Sequence, residues 1–357
     1  MNISIGILAY NEADFIPKML DSLFQQSLFT QPNPDLDIKI YVIPNACTDQ
    51  TASIAATTLE NLVKPDIHTH VKWSIYEIER PGKSNAWNEF VHRFSNPNAD
   101  YLFLMDADIT ILNPQTLTSM LQLLETSSET WIAMDKPIKD VSLKTNKNPL
   151  EFLSEKVSSL SGNKASEGKP SWLCGQLYLG RANIMRRIWL PKTLPTQDSF
   201  LYSMIVTNGF KEAENPERVI QAPSASHIFE AYTSISSLLR HQKWLMIGQI
   251  VGELVSESFL NQKDQEDIGT MIKNHNEKDP LWLDEMVQKM IANKSWWLIP
   301  NFILTRRFKS LANKSFFKAI LFLPLACVAF GVDLWVAFQA NSALHKGEAL
   351  GHWKKSQ

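Results

Sequence analysis

Four short runs rich in β-branched and aromatic residues, ISIGILA (3–9), IKIYVIP (38–44), VKWSIYEI (71–78) and YLFLM (101–105), alternate with stretches of helical periodicity. Each run reads as a strand, because side chains of this kind fit a pleated, buried surface. After the first run, Ile16, Met19, Leu20, Leu23 and Phe24 share one helical face. TDQTASIAATTLENLV opens on Thr48 or Asp49 as a cap, and KSNAWNEFVHRF follows Pro81-Gly82. Strand and helix in alternation predict an α/β fold, a mostly parallel sheet flanked by helices. Ligands of such sheets bind beyond the carboxyl ends of the strands. Polar residues gather at those ends: Asn11 and Glu12 after the first strand, Asn45 and Asp49 after the second, Asp106 and Asp108 after the fourth.

The last pair, in YLFLMDADIT (101–110), carries the chemistry. Two carboxylates this close repel each other unless a positive group lies between them. Their position at the end of a buried strand suits a divalent cation that bridges the phosphates of a nucleotide.

Five segments, LAYNEADFIPKMLDSL, VIPNACTDQTASIA, RPGKSNAWN, MDADI and TQDSF, occur in that order. Together they resemble the inverting family 2 glycosyltransferases of GT-A fold, a Rossmann-like nucleotide-diphospho-sugar transferase fold. Members of that family carry N-E near the start, an N-G-S/C-T-D-x-T loop, G-K-x-x-A-x-N, D-x-D and a later E-D. The resemblance covers about residues 1 to 245. It implies transfer of a sugar from a nucleotide-diphosphate donor to a hydroxyl acceptor, with inversion. Ala9, Tyr10, Asn11, Glu12, Asn45 and Asp49 would then line the nucleotide, and Lys83 would lie near the diphosphate. Asp106, Ala107 and Asp108 would hold the donor through Mg²⁺ or Mn²⁺, and Asp198 would be the general base, with Gln197 where the family has Glu.

Further matches are shorter. Gly175 and Gln176 in CGQLYLGR, with Arg181, match a segment that lines the acceptor side. RHQKW (240–244) is similar to the Q/R-x-x-R-W element of membrane-bound synthases and lipid glycosyltransferases, which implies an acceptor-side role for Lys243 and Trp244. Lysine there keeps the charge of the usual arginine and loses its planar fork. His227 in SASHIF lies where some relatives have a third metal ligand, and a histidine among apolar residues equally fits a structural role. Gly82-Lys83-Ser84 is not a phosphate loop, since Glu77 stands where that motif requires glycine.

The tail differs in character from the body. From Lys294 onward nine Lys and Arg stand against Asp333 and Glu348, a net of +7 within an overall −2, so residues 1–293 carry −9. An apolar run from Ala319 to Ala340, interrupted by Pro324 and Asp333, follows Arg306, Arg307, Lys309, Lys314 and Lys318, with Trp296, Trp297, Trp335 and Trp353 nearby. Such a run suits a spanning helix of ~20 residues, but a charge inside it costs about 3 kcal/mol. It equally suits two helices, 296–310 and 316–340, lying in a bilayer interface. A buried carboxy-terminal helix pair is the third reading.

The predicted organisation is a catalytic domain at 1–232, a helical extension at 233–293 and a basic, aromatic, membrane-associated or transmembrane tail at 294–357. It places the enzyme on the cytoplasmic face of the plasma (inner) membrane, acting on a lipid-linked or polysaccharide acceptor. MNISIGILAYNE lacks the basic lead and cleavage site of a signal peptide. Cys47, Cys174 and Cys327 form neither a disulfide framework nor a zinc spacing, which fits a reducing compartment. Nucleic acid is excluded as a partner by the acidic body and the absence of a binding motif. Two rival readings are a non-catalytic sugar-nucleotide binder of the same fold and a nucleotidyltransferase. The latter expects a Gly-rich, basic run where this chain has AYNEAD.

Overall fold

The computed structural model describes residues 1–31, 35–143, 167–230, 234–260, 267–312 and 315–348. Most of the segment SGNKASEGKP (161–170), whose Gly, Ser and Pro content predicts a loop, and Trp353 lie outside the described residues. The strands are β1 Asn2–Ala9, β2 Asp37–Pro44, β3 Val71–Ile75, β4 Tyr101–Asp106, β5 Thr110–Ile111, β6 Ile132–Lys139, β7 Leu177–Arg181 and β8 Val219–Phe229. The main helices are α1 Ile16–Phe24, α2 Thr51–Leu62, α3 Lys83–Glu89, α4 Thr116–Thr126, α5 Asp198–Val206 and α6 Ile235–Leu260. After them come α7 Ile268–Lys278, α8 Trp282–Ala292, α9 Asn301–Ala312 and α10 Phe316–His345.

The strands form one eight-stranded sheet in the order β3-β2-β1-β4-β7-β6-β8-β5. Its first half is parallel, as the alternation of strand and helix predicts. The second half is mixed, with β6 and β8 parallel. β7 runs antiparallel to both β4 and β6, and β5 runs antiparallel to β8. The sheet is therefore mixed, which corrects the expectation of a mostly parallel one. The periodicity of the first 110 residues extends no further than the parallel half.

Alternation along the strands splits the core in two. Ile3, Ile5 and Ile7 of β1 and Tyr101, Phe103 and Met105 of β4 face α1, α2 and α4. Leu8, Leu102 and Leu104 face the opposite way, onto Trp87, Phe90, Phe200 and Ile250. The buried Trp87 indole donates to the Tyr178 hydroxyl at 2.7 Å, so this large side chain leaves no polar atom unpaired. The second core runs on without a break into Leu283, Val336, Ala340 and Leu344, so α6, α8 and the end of α10 share it with the sheet.

Candidate active site

The loops at the carboxyl ends of β1, β2 and β3 are joined to one another by side chains. Asn11, at φ 55°, accepts from the Thr48 N–H through Oδ1 at 2.8 Å. Thr51 Oγ1 accepts from the Glu12 N–H at 2.8 Å, and Asp49 Oδ2 accepts from the Ala13 N–H at 3.2 Å. Asn45 takes the Gly82 N–H on Oδ1 and gives Nδ2 to the Arg80 carbonyl, both at 2.8 Å. Burial pushes the Asp49 carboxyl up, but hydrogen bonds from Thr51 and Ala13 outweigh it and hold the group below its ordinary range. Gly82, at φ 130°, turns the chain into α3 with its carbonyl accepting from Ala86, and so delivers Lys83 to the cleft. That cleft, about 320 Å³ and open to solvent, is lined by Ala9, Tyr10, Glu12, Asn45, Lys83, Asp106, Ala107 and Asp108 among others.

At its floor the repulsion between the paired acids is relieved by a lysine. Lys83 Nζ lies 2.6 Å from Asp106 Oδ1 and 2.7 Å from Oδ2, and it also donates to the Gly175 carbonyl at 3.2 Å. The Gly175 N–H in turn donates to Asp198 Oδ2 at 3.1 Å. A single residue thus links the lysine of the donor side to the acid at the start of α5. Glycine at 175 leaves room for the acid, since a Cβ there would stand 2.3 Å from Asp198 Oδ1 and the carboxylate would have to shift. Against the penalty of burial, Asp106, Asp198 and Asp108 hold the Lys83 ammonium above its ordinary range. Burial pushes the Asp106 carboxyl up to about 7 in spite of Lys83, and raises Asp198 in spite of Lys83 and the Gly175 N–H.

A cation fits this donor set. Asp106 and Asp108 are oxygen donors on one edge of the cleft, and the Asp108 carboxylate accepts no hydrogen bond among the described residues. Hard ligands with room for water and phosphate oxygens match Mg²⁺ or Mn²⁺. Among the described residues no three His, Cys, Asp or Glu side chains converge on a metal position, and the contacts of His227 are with other partners. It is fully buried, with Nδ1 2.6 Å from Asp135 Oδ2 and Nε2 3.3 Å from Gln176 Oε1. Gln176 accepts the Asp106 N–H on its main-chain oxygen at 2.9 Å, so the histidine supports the strand end from behind.

The other acceptor-side expectations divide. Arg181 lies at the far end of β7, paired with Tyr101 at the start of β4, and donates to the carbonyls of Leu124, Ser127 and Thr130. It closes the end of α4 and stands four residues along the sheet from Leu177, whose partner is Met105. The antiparallel course of β7 is the reason, since it leads away from the cleft. Lys243 and Trp244 are half-buried on α6, and no hydrogen bond or ion pair joins Lys243 to the acidic cluster among the described residues. The same helix touches the cluster through its glycines. A Cβ on Gly248 would stand 2.0 Å from Thr196 Oγ1, and one on Gly252 would stand 2.9 Å from Ser199 Oγ, on either side of Asp198.

Two features escaped the sequence reading. Asp135 ends the apolar run TWIAMD much as Asp106 ends YLFLMD, and that likeness was the signal for it. Trp172, 62% exposed, packs on Tyr202 with centroids 4.5 Å apart and the rings tilted by 31°, and Tyr202 is one helical turn beyond Asp198. An exposed aromatic three residues before Gly175 has no periodicity that marks it in sequence.

A mixed α/β sheet with an acidic pair at a strand end, linked through Lys83 and Gly175 to a third acid, is a GT-A-like fold. The model for glycosyl transferase family 2 matches residues 4–189, just over half of the chain, and the chain belongs to that family. A comparison with curated protein sequences returned no match. Among solved structures, the chain is similar to a mannosyltransferase from Pyrobaculum calidifontis in complex with GDP-Man and Mn²⁺. Identity is 17%, coverage 97% of this chain and 86% of that one, and the TM-score 0.52. It is also similar to residues 1–349 of S. aureus TarS, at 15% identity, 97% and 92% coverage and a TM-score of 0.46. A third is glucosyl-3-phosphoglycerate synthase from Mycobacterium tuberculosis in complex with Mg²⁺ and UDP, at 15% identity, 70% and 79% coverage and a TM-score of 0.45. At these identities the likeness is one of fold.

Proposed function

We propose that this chain transfers a sugar, with inversion, from a nucleotide-diphosphate donor to a hydroxyl of a lipid-linked or polysaccharide acceptor. The observation that carries the reading is the Gly175 bridge, which links the Lys83–Asp106 pair to Asp198. Asp106 and Asp108 would hold the divalent cation, and the archaeal mannosyltransferase of like fold was solved with Mn²⁺ and a nucleotide sugar. When bound, that ion stabilises negative charge on the diphosphate.

The remaining work falls to the chain itself. Lys83 presents a fixed positive charge to the departing diphosphate in a partly buried cleft, where it acts more strongly than in water. Asp198 accepts the proton of the acceptor hydroxyl as that oxygen attacks the anomeric carbon from the face opposite the breaking bond to phosphate. The new glycosidic bond forms as the nucleoside diphosphate leaves. A carboxylate raised by burial is a stronger base, so the environment of Asp198 suits the task. Trp172 and Tyr202 form an aromatic wall on the acceptor side, which suits the apolar face of a sugar ring.

The basic, aromatic tail holds the cleft at an anionic membrane surface, on the cytoplasmic face where nucleotide sugars are available. Asp198→Asn should lower the rate of sugar transfer roughly a hundred- to ten-thousandfold, with an unchanged melting profile. Full activity in that variant overturns the assignment of the base.

A further inference from the structure

Helix α10 breaks the rule by which surface helices turn polar side chains to water. It is long and apolar enough to cross a membrane by length and composition, with a mean hydropathy of 2.2 in its most apolar stretch. Between Ala319 and Phe338 its only charged side chain is Asp333, and that one is turned inward. Two arginines of α9 meet it there: Arg306 Nη2 and Arg307 Nε each donate to the carboxylate at 2.9 Å. The outward face is apolar over the same stretch. Phe317, Leu321, Val328, Leu334, Trp335 and Phe338 are between 42% and 84% exposed. A helix apolar on every side belongs in a core or a membrane.

The inner face decides how a membrane could receive it. Ala326, Ala329, Val336, Ala337, Ala340 and Leu344 are buried against α9 and the catalytic body. Polar bonds fasten the last third. Asn341 accepts from the Leu298 N–H at 2.9 Å and donates to the Trp296 carbonyl at 2.8 Å, and Gln288 donates to the Leu344 carbonyl at 3.1 Å. Protein therefore covers one side of α10 from Ala326 onward, and lipid can reach only the other. A crossing orientation would draw Arg306, Arg307 and Asp333 into hydrocarbon, where charged side chains are costly.

Resting on the membrane reading above, we infer that α10 is a monotopic anchor. It lies in the plane of an anionic bilayer with its outward stripe immersed, and it does not span. The stripe from Phe316 to Phe338 is ~34 Å long and would sit roughly 5–10 Å below the headgroup boundary. Arg306 and the exposed Lys309 of α9 lie beside it, in a segment of net +7, which complements anionic headgroups. The same apolar stripe could instead be covered by a second copy of the chain, and the test separates these cases.

The full-length protein is mixed with vesicles of phosphatidylcholine and phosphatidylglycerol. Cysteine is placed in turn at Leu321, Val328 and Trp335 in a Cys327→Ser background and labelled with bimane. Quenching by lipids carrying nitroxide at graded depths should place all three labels at one shallow depth. The triple variant L321D/V328D/W335D should float ~tenfold less and keep its melting temperature, because these side chains point away from the protein. Depth that passes through the bilayer centre at Val328, with Leu321 and Trp335 nearer opposite surfaces, overturns the inference and leaves the membrane reading standing. A wild-type chain that does not float, or that is a dimer whose labels no lipid quenches, overturns both.

Discussion

Replacing Gly175 by alanine tests the geometry of the proposed base most directly. The added Cβ would stand 2.3 Å from Asp198 Oδ1 and 3.0 Å from its Cγ. Ordinary contact needs about 3.5 Å, so the carboxylate must move by ~1 Å. Gly175 cannot retreat without loss, because its carbonyl accepts from Lys83 and its N–H donates to Asp198. Two effects follow. Overpacking should lower unfolding free energy by about 1–3 kcal/mol. A ~1 Å displacement of a reacting group should lower kcat on the order of a hundredfold. Donor affinity should hold, since Asp106 at the end of β4 and Asp108 in the turn after it keep their places. The assay is release of nucleoside diphosphate with the donor that most raises the melting temperature, alongside urea unfolding. The double variant G175A/D198N should be no slower than D198N alone, because both changes remove one function. Wild-type kcat in Gly175→Ala would refute the argument that this contact sets the base.

Thermal-shift screening with UDP-, GDP- and dTDP-sugars should give stabilisation only when Mn²⁺ is present, about 2.7 kcal/mol at a hundredfold excess over Kd, and EDTA should abolish it. Equal shifts without metal would contradict the role given to the acidic pair. The same shift should weaken as pH falls below about 7, where Asp106 takes up a proton and the metal must compete with it. A pH-independent shift from 8 to ~6 would contradict this. Gly248→Ala would set a Cβ 2.0 Å from Thr196 Oγ1 and should cost about 1–3 kcal/mol. An unchanged urea midpoint would count against the seating of α6 on the loop before α5. His92 stacks on Trp189 at 3.7 Å, and burial lowers it from 6.5 to about 4. Its folded form resists protonation, so its contribution is complete above pH 6.5 and is lost as pH falls through 4, up to ~3 kcal/mol. His92→Gln should flatten the dependence of stability on pH in that window, and a profile parallel to the wild type would show that another group carries it.

Local pattern made the first half of the molecule legible. β-branched runs of seven or so residues, each followed by a polar cluster, leave few ways to fold other than strands whose carboxyl ends line a cleft. Asn11, Asn45, Asp49, Lys83, Asp106 and Asp108 all lie on such ends or the turns beside them, and the structure brings them together. The same reasoning could not place Arg181, because its position depends on the direction of β7. Nothing in LYLGR encodes whether that strand runs with or against β4.

His227 illustrates the second limit. Its neighbours in sequence are compatible with a ligand or a core residue, and none of them shows that Asp135, ninety-two positions away, meets it across β6 and β8. Asp333 is a third case. As a residue in an apolar run it looks like a flaw in a spanning helix. Paired with Arg306 and Arg307 it becomes the inner side of a helix whose outer side carries no charge between Ala319 and Phe338.

The sequence by itself determined the strand-end chemistry, the family and the split between an acidic body and a basic tail. These follow from composition and spacing, which are properties of short stretches of chain. Only the tertiary structure decided strand direction in the second half of the sheet, the contact of Gly175 with Asp198 and the covered face of α10. Each of these requires residues far apart in the chain to meet, and the free energy that selects such meetings comes from packing the whole core.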